Sequence, residues 1–133
     1  MPYLNESDPR WDQASGGHTV DGHPQWGPED VDRAADLLAE MRPAARRMFD
    51  HLVRHPGLEV HCAELELKCL GGPEAGKNTA NRVASTLRGL TDPAGATGRR
   101  LPFEWWKAPA GGVGATYAVR PSVAAIFLAA LVR

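Results

Sequence analysis

The sequence predicts a mainly α domain with a small β-hairpin, on three observations. Apolar residues recur at helical spacing in four stretches between Val31 and Leu90. Two short segments, 101–106 and 116–119, flank a tip rich in glycine and alanine, as the strands of a hairpin do. A last run, 123–132, is apolar throughout. With 133 residues, 43% hydrophobic, 14 Gly and 11 Pro, the chain suits one globular domain and excludes a collagen, a coiled-coil rod or a wholly disordered protein.

Taken in order, residues 1–27 are polar, carry scattered Gly, Pro, Ser and Asp, and show no period, so they are expected to form a flexible polar arm. Trp11 and Trp26 within it have two readings, docked on the body or free. The single domain is placed at 28–133. Pro28 suits a first helical turn, Glu29, Asp30 and Asp32 suit its positive end, and Val31, Ala34, Leu37, Leu38 and Met41 form a stripe, giving a helix over 28–41. Pro43 opens a second helix, with Ala44, Ala45, Met48, Phe49, Leu52 and Val53 inward, until His55-Pro56-Gly57 stops it.

The next segment, 58–60, is short and β-capable. A compact helix over 62–70 follows, with Ala63, Leu65, Cys69 and Leu70 as its inner face. After Gly71-Gly72-Pro73, a helix from residue 76 or 77 to 90 keeps Ala80, Val83, Ala84, Leu87 and Leu90 on one side. Its opposite face carries Asn78, Asn81, Arg82, Ser85 and Gly89, flanked by Lys77 and Arg88, and no acid. In the hairpin, Leu101, Phe103 and Trp105 alternate with Pro102, Glu104 and Trp106, as in a half-buried strand, and 108–114 makes the tip. Ser122 is the expected cap of the last helix. That helix is apolar nearly all round, which predicts packing against a second copy through the terminal helices.

Charge is divided unevenly. Residues 1–41 hold nine acids and two bases, a net of −7, whereas 42–133 hold 13 bases and seven acids, a net of +6. The acidic stretch either folds over the basic surface and competes with phosphates or serves solubility alone. The N-terminus shows no secretory signal and the longest apolar run is too short to span a bilayer, so a cytoplasmic protein with no membrane association is expected. Cys62 and Cys69, seven apart in a helical pattern, are too distant for a disulfide.

Helix, helix, short strand, helix, turn, helix, hairpin resembles a winged helix-turn-helix domain with extra N-terminal and C-terminal helices. The resemblance covers residues 43–120. It rests on Val60, Ala63-Glu64-Leu65 with Leu70-Gly71, Asn81-Arg82-Val83 with Leu87 and Leu90, and the hairpin. The chain also looks like a group of small actinobacterial proteins of that architecture. His61 stands where such domains usually carry a Ser or Thr cap, and the turn at 71–76 is longer than theirs.

The resemblance implies a transcriptional regulator reading duplex DNA. Arg82, Asn78, Asn81 and Ser85 would face base edges, and Lys77, Arg88, Arg99, Arg100 and Lys107 would meet phosphates. From 76 to 107 there are six bases and two acids, a net of +4. The competing reading is a non-enzymatic protein-interaction module that displays Trp105, Trp106 and the last helix.

Enzyme-like patterns are weaker. Gly71-x-x-x-x-Gly76-Lys77 resembles a phosphate loop, but Asn78 replaces its Ser or Thr and no βαβ series follows. His51-x-x-x-His55 with His61 and Cys62 has zinc-ligand residue types, but His55 at a helix end is better read as a cap. No nucleophile–base set stands out, so no catalysis, metal or cofactor is expected.

Overall fold

A computed structural model describes residues 3–14, 23–69, 79–107 and 114–132. Among the described residues, six α-helices pack with a three-stranded antiparallel sheet. They are α1 (Val31–Glu40), α2 (Pro43–Val53), α3 (Cys62–Cys69), α4 (Thr79–Arg88), α5 (Thr91–Ala96) and α6 (Pro121–Leu131). The strands are β1 (Val60–His61), β2 (Glu104–Lys107) and β3 (Ala115–Ala118), in the order β1-β3-β2. Among the described residues no helix is long and apolar enough to cross a membrane.

Each helix forms for a local reason. A 3-10 turn at Pro28–Asp30 leads into α1, and the Asp30 carboxylate accepts the Gly27 amide hydrogen at 2.7 Å, satisfying one of the donors that helix starts leave open. Pro43 sits in the first turn of α2, where its missing N–H costs nothing. At the other end of α2, His55 Nδ1 lies 2.8 Å from the His51 carbonyl and caps the last turn. The His61 ring does the work of the expected Ser or Thr, since its Nδ1 accepts the Ala63 amide hydrogen at 3.1 Å at the start of α3.

Main-core packing runs from α1 against α6, through α2, to α3 and α4. Phe127 on α6 meets Phe49 and Trp26 edge-on, with centroids 4.8 and 4.9 Å away. The inward face of α3 is Cys62, Leu65, Glu66 and Cys69, so Ala63, expected inside, is exposed and a carboxylate takes an inner place. Helix α5 has no counterpart in the sequence reading, since Pro93 and Gly95 interrupt any helical period. Proline in the first turn is harmless, and the turn is pinned by Ala94, buried against α1. Ser122 lies inside α6, which begins at Pro121, and its amide donates to Glu6 at 2.8 Å.

The arm departs most from expectation. Register pairs Val60 with Tyr117 and Tyr117 with Trp105, so these face the helices, while Trp106, Thr116 and Ala118 face outward. That outer face is not solvated. Leu4, Trp11 and Ala14 cover Trp106 and Ala118, with the Trp11 and Trp106 centroids 5.5 Å apart. Trp106 Nε1 donates to the Arg10 carbonyl and Arg10 pairs with Glu59. Gly57 permits the approach: its φ is +79°, and a Cβ there would stand 2.1 Å from the Leu4 oxygen. Trp26 is buried in the main core and donates to the Arg100 carbonyl at 2.8 Å. The described arm residues are therefore a packed layer, because two tryptophans bury more apolar surface than a free arm tolerates.

Candidate nucleic-acid interface

Helix α4 turns Val83 and Leu87 into the core and leaves Ser85 and Arg88 exposed, and its sequence contains no acid. Gly89, just past its end, is exposed as well. Lys107 ends β2 on the neighbouring hairpin and is exposed. Lys77 and Asn78 lie outside the described residues, as do the side chain of Asn81, the phosphate-loop-like segment 71–77 and the hairpin tip 108–113. The segment before it, which a phosphate loop would need as a strand, is helix α3.

Three of the expected DNA-binding arginines face inward instead. Arg99 grips Asp30 with two bonds of 2.8 and 3.1 Å, and Arg33 adds a third at 2.7 Å to the same fully buried carboxylate. Burial alone pushes the Asp30 carboxyl up, but Arg99, the Gly27 amide and Arg33 outweigh it and hold it down to about 2. Arg100 meets Glu104 at 2.8 Å, and Arg120 closes the other oxygen of Glu104 at 3.0 Å. The side chain of Arg82, 35% exposed, lies 3.2 Å from Glu66, which is 1% exposed. Neither atom of that contact has a well-aligned hydrogen bond, so it is an ionic contact. The physical reason is common to all three: a buried carboxylate needs a cation, and the nearest arginines are used for it.

Among the described acids of residues 1–41, Glu40 lines a groove beside Ser85 and Thr86 of α4, and others are engaged elsewhere. Glu6 reaches Arg120 and the Ser122 amide, and Asp30 reaches Arg33 and Arg99. His51 and His55 are adjacent, with ring centroids 4.6 Å apart, yet among the described residues no three of His, Cys, Asp or Glu come together as a metal site.

Sequence reasoning missed a cleft of about 250 Å³ between α4 and the hairpin. Leu87, Phe103, Trp105 and Tyr117 wall it, with Arg88 and Thr91 at its edge. The available signal was the Trp105–Tyr117 pair, which falls on one face once the hairpin register is set. Burial pushes the Tyr117 phenol up, with Cys62 adding and the Arg88 charge opposing, so the hydroxyl keeps its proton at neutral pH.

Fold and site together define a small, mainly helical domain with a three-stranded antiparallel sheet and an aromatic cleft beside α4. Residues 31–133 match a family of unknown function, DUF6416, and the chain belongs to that family. The match starts at the first residue of α1, leaving outside it the segment that covers the sheet. No curated protein and no solved structure matches the chain.

Proposed function

We propose that this chain is a winged helix-turn-helix protein that binds duplex DNA as a regulator, with α4 as recognition helix and the β2–β3 hairpin as wing. The observation that carries the reading is the order α2, β1, α3, α4, β2, β3 with β3 between β1 and β2, the connectivity of that architecture. An α4 that exposes Ser85 and Arg88 and carries no acid of its own supports it. The contact set is narrower than the nine residues expected from sequence: Arg88 and Lys107, joined by Lys77, Asn78, Asn81 and Ser85. Arg82 contributes if it leaves Glu66, and Arg99 and Arg100 hold the fold.

For pairing through the terminal helices, α1 and α6 pack on each other within the chain and leave Ala125 and Ala129 exposed on α6, with Val132 just past its end. Light scattering at micromolar concentration decides it. The main test is retardation of random-sequence duplex DNA at low salt. Arg88→Ala is expected to weaken it and to lower the salt slope by about 1 without changing the melting temperature. If duplex DNA is ignored at low salt, the DNA reading is lost. The protein-interaction reading then stands, favoured by the half-exposed Trp105 in an apolar cleft and by the three neutralised arginines.

A further inference from the structure

We infer that the cleft between α4 and the hairpin is a binding site for a small planar aromatic carboxylate. Its volume, about 250 Å³, lies just below the roughly 300–1,000 Å³ of drug-sized pockets, which limits the occupant to one or two rings. Phe103, Trp105 and Tyr117 supply flat apolar walls, which select a planar ring system.

The polar groups decide the charge. Tyr117, 4% exposed, and Trp105 each bring a side-chain donor, a hydroxyl and an indole N–H, to the wall of the cleft. Arg88 has no carboxylate partner there, unlike Arg82, Arg99 and Arg100. Among the described residues no acid lines the cleft. Two neutral donors and one guanidinium on the same cleft suit an acceptor of single negative charge, and a guanidinium fork matches a carboxylate. A phosphate ester, doubly charged, would leave one charge unpaired against an apolar lining.

The inference stands without the DNA reading, because binding is measured on the protein alone. Where both hold, a seated carboxylate occupies Arg88 and weakens duplex binding.

The probe is 2-naphthoate, titrated calorimetrically into the full chain, with 2-naphthalenemethanol as its neutral analogue. The carboxylate is expected to saturate with a Kd below about 1 mM. Arg88→Gln is expected to weaken naphthoate about tenfold and leave the alcohol within about twofold, while Arg88→Lys retains most of the affinity. Tyr117→Phe, which keeps the wall and removes the hydroxyl, is expected to weaken naphthoate several-fold at an unchanged melting temperature. No saturation by about 5 mM overturns the inference, as does equal naphthoate affinity in Arg88→Gln. Amide shift changes confined to surfaces away from Leu87 and Trp105 overturn it too.

Discussion

Replacing Trp11 by Ala separates the arm from the body energetically. Trp11 is 1% exposed, packs at a tilt against Trp106 and donates its indole N–H to the Asn5 carbonyl at 2.9 Å. In a closed core the change would cost about 3–5 kcal/mol. Trp11, however, belongs to the outer cluster with Leu4, Ala14, Trp106 and Ala118, apart from the main core. Once the arm lifts away no further loss registers, so the global cost is capped by the arm's docking energy and falls below that range.

Urea unfolding followed by backbone amide exchange tests this. The Leu4 amide, bonded to the Gly57 carbonyl at 2.7 Å, is expected to lose its protection, while amides in α2 keep theirs relative to global unfolding. Trp26→Ala is the contrast, because Trp26 packs on Phe127 in the main core and its loss should lower protection in α2 and α6 together. Equal loss of protection in α2 and the arm upon Trp11→Ala would refute the two-layer account. So would a global change below about 0.5 kcal/mol.

Two further outcomes follow from the buried carboxylates. Asp30 is held near a pKa of about 2, below its ordinary 3.8, so its stabilisation is fully present above about pH 4 and is lost as pH falls toward 2. Asp30→Asn is expected to lose on the order of 2 kcal/mol at pH 7 and to show a flatter acid limb in urea titrations, and an unchanged limb refutes it. Glu66→Gln removes the charge that holds Arg82, and retardation assays are expected to show duplex affinity rising several-fold with a steeper salt slope; weaker binding in a folded variant counts against Arg82 as a reserve contact.

How much of this was legible in the sequence differs by element. α1, α2 and α4 were legible because their apolar stripes are local properties of ten or so residues. The hairpin's alternation was also right for its inner face, where Phe103, Trp105 and Tyr117 sit. Its outer face was misjudged because the cover is distant: the Trp106 indole bonds Arg10, 96 positions away. No periodicity reports such a partner. α5 escaped for the opposite reason, since six residues with a Pro and a Gly lack a period and are held by tertiary burial of Ala94.

The candidate site shows the same limit in electrostatic form, and it has a measurable consequence. Counting residues 76–107 gives +4, but a charge count cannot say which arginines already hold carboxylates. Asp30 lies 69 positions from Arg99, and Arg100 and Glu104, four apart, meet outside any helix. Adding Asp30 and Glu66, the partners from outside the segment, reduces +4 to +2. Setting aside Arg82, Arg99 and Arg100, which hold carboxylates, at most three of the six cations can meet phosphates. Each neutralised phosphate contributes about −0.9 to the slope of log affinity against log salt, so a slope near −3 is expected instead of one near −5. A slope near −5 in the wild type would mean that the inward arginines turn out to meet DNA. In that case Asp30 and Glu66 are the carboxylates they leave, and Arg99→Ala should weaken binding beyond its effect on stability.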